Sequence, residues 1–259
     1  AFILLSEEDD FLHSMLHFNL GMRAVTLGET SMAVESFAET LRLSSTLNNP
    51  LVSIVAQGQL GEIRQMRGAL GLAERAFQQA IQYTKDTLGE HTFLLGMPYV
   101  SYANLLREQN RFEEAVHYAE QGIAYCQVWQ PVASMDGYIT LARILAAQGK
   151  WERSRAHFET ALKLVKDSPS LLDDTIAALF LARQALIQGD LIQANQVINR
   201  YNLENVTEKM FYMVREMAQL VLLRARIAGL DGNKAQDSTV AALTELIADF
   251  ERRERVSSL

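Results

Sequence analysis

The stretch LARILAAQGKWERSRAHFETAL, residues 141–162, reads as a helix, a glycine and a second helix. Apolar positions recur at three- and four-residue spacing, as in Phe158, Ala161, Leu162 and Val165, and nothing alternates as a strand would. The same layout returns in LGMRAVTLGETSMAVESFAETL (20–41), LGEIRQMRGALGLAERAFQQAI (60–81) and LARQALIQGDLIQANQVINRYN (181–202). Aligned on their central turns, Gly28, Gly68, Asn110, Gly149, Gly189 and Gly229 stand 39 to 42 residues apart. A period near 40, kept through five units and traceable in a sixth, predicts a repeat array.

Each recurring position has a physical cause. The central Gly accepts the left-handed conformation that ends a first helix. Asn110 is the best non-glycine substitute there; with Glu113 three residues on, it could instead be the N-cap of the next helix. Seven residues before each turn lies a small side chain (Gly21, Gly61, Ala103, Ala142, Ala182), and five after it another (Ala33, Ala73, Ala115, Ser154, Ala194). These let the two helices of a pair approach closely. Nine after the turn come Phe37, Phe77, Ala119, Phe158 and Ile198, with Phe expected to fill the groove between one pair and the next.

This pattern resembles the tetratricopeptide repeat, complete in the second unit as Gly61, Ala73, Phe77 and Ala80. That repeat is about 34 residues long, so these units carry roughly six more, for longer helices or looser connections. Residues 83–98 and 202–210 read as the longer inter-repeat loops. The resemblance implies an all-α, right-handed superhelix (solenoid) of about six stacked antiparallel helix pairs, residues 1–259 forming one repeat domain with the first helices on its inner wall. Because the chain opens on Ala and closes in mid-phrase, it is expected to be part of a longer multidomain protein.

Composition narrows the function. Of 259 residues 49% are hydrophobic, with only 14 Gly and 4 Pro, as suits a folded helical protein. The single cysteine, Cys126, excludes an internal disulfide framework, points to a reducing cytoplasmic compartment and is expected to be buried. No apolar run is long enough to cross a bilayer, so no membrane role is expected. A net charge of −7 argues against direct nucleic-acid contact. The acidic run at 6–10 reads as negative charge at the first helix N-terminus, and ERRERV (251–256) as cations at a helix end.

Catalytic signatures are missing from the sequence. There is no phosphate loop, no H-E-x-x-H and no nucleophile elbow, so the segment is read as non-enzymatic, without a cofactor of its own. His13 and His17 share a helix face, but no third ligand is placed to complete a metal site, and exposed surface is the preferred reading. The candidate recognition residues lie on the first helices. The residue after each small one is Met22, Glu62, Asn104, Arg143, Arg183 and Leu223, and three further on come Val25, Gln65, Arg107, Ala146 and Leu186. The candidate set for a ligand or partner is therefore Glu62, Gln65, Asn104, Arg107, Arg143 and Arg183, flanked by Tyr99 and Tyr138 one turn earlier. Clustered arginines suit an anionic or hydroxyl-rich ligand, although polar residues on a solvated helix side need no ligand at all.

Residues 94–129, followed by DGYITLARILAAQGKWERSRAHFETA (136–161), resemble more closely the helical repeat domain of the MalT-like, LuxR-type large ATP-dependent transcription regulators. The resemblance rests on Gly96, Ala103, Glu108, Asn110 and Ala115, then Leu141, Ala142, Arg143, Ala147 and Gly149, and again Leu181, Ala182, Arg183 and Gly189. It implies a signalling protein whose ATP belongs to an absent N-terminal module and whose DNA-binding helices lie in an absent C-terminal one. This segment would be the effector-sensing and protein-interaction domain. Its partners would be a small effector or partner protein in the concave groove, other domains of the same chain, and further copies in self-association. The alternatives are a scaffold gripping a peptide segment with no small effector, and a repeat-type quorum-sensing peptide receptor.

Overall fold

A computed structural model of the chain describes residues 9–47, 49–129, 131–166, 171–206 and 212–229, together with 241 and 244. Every regular element among them is helical. The α-helices are α1 (Asp10–Leu27), α2 (Thr30–Leu47), α3 (Pro50–Met66), α4 (Leu70–Leu88), α5 (Gly96–Glu108), α6 (Phe112–Trp129), α7 (Met135–Ala147), α8 (Trp151–Val165), α9 (Leu171–Ile187), α10 (Leu191–Arg200) and α11 (Tyr212–Ala228). Odd-numbered helices are the first members of the repeats and even-numbered ones the second. Apart from 241 and 244, the partner expected for α11 lies outside the described residues, as does the basic run 251–256.

The turns follow from backbone sterics. Gly28, Gly68, Gly149 and Gly189 have φ of 80°, 74°, 72° and 75°, and Asn110 joins them at 60°. Four of these turns close with the same pair of hydrogen bonds. After α3, Gly68 N donates to Gln65 O and Ala69 N to Arg64 O, both at 2.9 Å. The pair recurs from Asn110 and Arg111, from Gly149 and Lys150, and from Gly189 and Asp190, satisfying carbonyls that the helix end would leave bare. Asn110 is thus the left-handed residue ending α5, and the N-cap alternative falls away because its φ already belongs to the cap of the preceding helix. Gly229 donates to Ala225 O and Arg226 O and is not among the positive-φ residues. Helix starts are capped where acids precede them: Asp9 Oδ1 accepts from Leu12 N at 3.1 Å and Asp190 Oδ1 from Gln193 N at 2.9 Å. Of the acidic run at 6–10, residues 6–8 lie outside the described residues.

Within pairs, the small positions are fully enclosed: Ala33, Ala73, Ala103, Ala115, Ala142, Ser154, Ala182 and Ala194 show no exposed surface. Ser154 keeps its hydroxyl satisfied by donating to Ala142 O at 2.7 Å. The Phe positions also make a close contact inside their own hairpins. A Cβ added to Gly21 would stand 2.7 Å from the Phe37 ring, and one on Gly61 would collide with Phe77. These rings therefore seat on the glycine of their own hairpin, and Phe77 also lies in a core shared with Tyr99, Tyr102 and Leu106 of the next pair, as expected. The third repeat pairs Ala103 with Ala119, so the loss of space on one helix is matched by loss of volume on the other. Phe158 likewise reaches onward, stacking on Phe180 of α9 with centroids 6.2 Å apart.

The extra length of the repeat goes into helix. Residues 83–98 are not a long loop: α4 continues to Leu88, Gly89 ends it at φ 85°, and a 3-10 turn at Phe93–Leu95 leads into α5. Of 202–210, Leu203–Asn205 form a 3-10 turn and 207–210 lie outside the described residues. The chain divides into two compact units, residues 1–24 with 30–157 and residues 25–29 with 158–259. In the first, Phe77, Leu95, Leu105, Leu106 and Ile144 are fully buried in a shared core. In the second, α9 packs on α10 and α11 around Ala178, Leu179, Ala182 and Val221. Cys126 is buried as expected, against Gly96, and burial pushes its thiol up to about 11, with the Asp136 charge adding to the effect. No described helix is long and apolar enough to cross a membrane.

Candidate binding surface

In the first unit α3, α5 and α7 pack in succession and form one wall. Residues four apart share a helix face, and the small residues point that face at the second helices. The residue after each small one therefore turns onto the wall. Glu62 of α3 reaches α5, where its Oε1 accepts from Ser101 Oγ at 2.9 Å, and its Oε2 accepts from Gln59 Nε2 at 3.2 Å. Burial pushes the Glu62 carboxyl above its ordinary value; the Ser101 bond opposes this, the Asp136 charge adds to it, and the Gln59 bond opposes it again.

One turn along, α5 and α7 are tied by Asn104. Its Oδ1 accepts from Arg143 Nη1 at 2.9 Å, and from Arg107 Nε and Nη2 at 3.3 and 3.2 Å. Arg107 also donates to Glu108 Oε1 at 3.0 Å, and its side chain is only 15% exposed. Two guanidiniums from neighbouring helices thus converge on one neutral oxygen. The amide oxygen that aligns the two carries no charge of its own, and Arg107 is in addition ion-paired with Glu108.

The remaining candidates divide. Gln65 lies one turn beyond Glu62 at the end of α3 and is half-buried. Tyr99 and Tyr138 do not flank the row. Each lies four residues before a small residue (Ala103 and Ala142), so each shares the face turned toward second helices. Tyr99 is buried against Tyr118 and Tyr125 of α6, at centroid distances of 5.3 and 5.8 Å. Tyr138 accepts from Gln127 Nε2 at 3.0 Å and stacks on His157. Arg183 belongs to the second unit, on α9. Reading the sequence missed Gln59 and Ser101, though both sit three residues before a candidate, Glu62 and Asn104, and hence on its face.

A second polar knot joins repeats without facing the wall. Glu74 of α4 accepts from Tyr102 Oη at 3.0 Å, Gln109 Nε2 at 3.1 Å and Arg111 Nη1 at 2.6 Å. Burial pushes its carboxyl up, and these three donors outweigh that and leave it below the usual carboxylate value. Among the described residues no three His, Cys, Asp or Glu side chains gather as a metal site would need.

Comparison with known proteins shows the family and the fold. The family model described as the MalT-like TPR region matches residues 1–259. No curated protein sequence matches the chain. Among solved structures it is similar to a Rap protein, in a crystal structure described as complexed with Competence and Sporulation Factor, at TM-score 0.75 and 14% identity; the match covers 94% of this chain and 65% of that one. It is also similar to BtubC from P. vanneervenii, at TM-score 0.58 and 18% identity over 87% of this chain and 91% of that one. PilF of Pseudomonas aeruginosa matches at TM-score 0.54 and 15% identity, over 92% of each chain. At these identities the likenesses show the fold alone, an all-α stack of tetratricopeptide-like hairpins.

Proposed function

Because the chain belongs to the MalT-like tetratricopeptide-repeat family, we propose that it is the effector-sensing and protein-interaction domain of a LuxR-type transcription regulator. Ligand or partner would be recognised along the wall of α3, α5 and α7. The observation that supports this most is the convergence of Arg107 and Arg143 on Asn104, beside the part-buried Glu62–Ser101 contact. Such a row offers charge-assisted donors at one end and a carboxyl acceptor at the other, which suits a ligand carrying both anionic or hydroxyl groups and donors. The role is binding, with ATP and DNA handled by other domains of the same cytoplasmic protein. Ligand controls those domains to the extent that it prefers one conformational state of the regulator.

A second reading is a scaffold that grips a peptide segment of a partner. The Rap structure, described as a complex with Competence and Sporulation Factor, favours it as a mode of use for this fold. One experiment serves both. The 259-residue chain is screened by thermal unfolding against sugars, nucleotides, dicarboxylates and short peptides, and each binder is repeated on Asn104→Leu and Arg143→Leu variants. Binding should weaken at least tenfold in both, and the class of binder separates effector from peptide. Undiminished binding in the variants would overturn the assignment of this wall.

A further inference from the structure

In the second unit α9 and α11 pack against each other as consecutive first helices. Arg183 stands on α9 between Ala182 and Gln184, both buried. Its Nε is itself buried and finds no acceptor among the described residues. Burial and then the charge of Arg224, on α11, disfavour its charged form. A guanidinium cannot escape that position by giving up its proton. Arg215, also on α11, holds another buried Nε without an acceptor among the described residues. A buried guanidinium donor that lacks an acceptor and has a second cation close by is unfavourable for folding, and an apolar side chain of similar length would avoid the cost. Retaining it makes physical sense where an anion completes the arrangement.

We propose that α9 and α11 form a seat for an oxyanion, a carboxylate or phosphate group held between Arg183 and Arg224. Guanidinium forks on adjacent helices match two oxygens of one anion, and the sheltered Nε–H gains the acceptor it lacks. The seat extends to the second unit the reading of first helices as recognition surface. Its chemistry stands separately, because the variants that probe it leave Glu62, Asn104 and Arg143 unaltered.

The test is thermal unfolding and calorimetry of the 259-residue chain in inorganic phosphate, in succinate and in chloride at matched ionic strength. Phosphate or succinate should raise Tm above the chloride value, and whichever does so identifies the source of the oxyanion. Arg183→Met and the exposed-site variant Arg224→Gln should each weaken that anion at least tenfold. In chloride, Arg183→Met should be no less stable than the native chain, since it removes an unsatisfied charge; an arginine with a purely structural role would give the opposite. The proposal is overturned if neither anion exceeds chloride, if both variants keep the native affinity, or if Arg183→Met lowers Tm in chloride.

Discussion

Asn110 and Glu62 show how single residues depart from the repeat around them. Asn110 takes a φ of 60° where the other repeats use glycine, because its short polar side chain tolerates the left-handed region. Glu62 is held with its carboxyl above the ordinary value of 4.5, chiefly by burial. A raised folded-state value means that the folded chain holds the proton more tightly than the unfolded chain. The resulting stability is present in full below the unfolded value and is lost as pH rises through the folded one. Glu62→Gln removes the titration, keeps an oxygen for Ser101 and turns an N–H toward Gln59, whose amide can rotate to accept it. It should stabilise the chain at pH 7 by on the order of 1 kcal/mol, and the gain should close as pH falls to the ordinary carboxylate range. Urea denaturation of both proteins across that range measures it, and a gain that persists unchanged in acid would assign the effect to something other than ionisation.

At the scale of helices, the controlling contact is glycine against phenylalanine. Gly21 faces Phe37 and Gly61 faces Phe77 so closely that neither glycine has room for a methyl group. A comparable approach occurs where Gly96 meets Gly122 and Cys126, and where Gly137 meets Ile123. Gly61→Ala should therefore cost about 1–3 kcal/mol by overpacking, although alanine is the better helix former. Shrinking the partner should relieve it: Phe77→Leu in the Gly61→Ala background should cost less than the sum of the single changes. Chemical denaturation of the four proteins gives the coupling, and strict additivity would show that the ring and the added methyl do not compete for the same space. The third repeat already carries such an exchange, Ala103 with Ala119.

For the molecule as a whole, a repeat array has no single centre, and each hairpin is stabilised by its neighbours. Damage should therefore spread by adjacency. Phe77→Ala, at a fully buried position, should cost about 3–5 kcal/mol. The loss of amide protection should be greatest in α3, α4 and α5, which share its core, and smallest in α10. Hydrogen exchange resolved by helix measures this, and a uniform loss across all helices would mean that the chain unfolds as one cooperative block.

Local chemistry was open to reading in one dimension. Turn glycines, paired small residues and apolar spacing each answer to backbone sterics or helix periodicity, so the hairpins, their period and the family resemblance are legible in the sequence alone. The candidate surface was legible in part: Glu62, Asn104, Arg107 and Arg143 fall together because they share a helix register. What only tertiary structure decided was which polar groups meet across helices. Ser101 completes Glu62, Asn104 gathers two arginines, Tyr99 and Tyr138 turn toward second helices, and the Arg183 Nε is left without an acceptor among the described residues. Spacing along one helix sets the direction in which a side chain points, whereas its neighbours are set by how close the next helix stands. That distance is governed by complementary volumes on two helices at once.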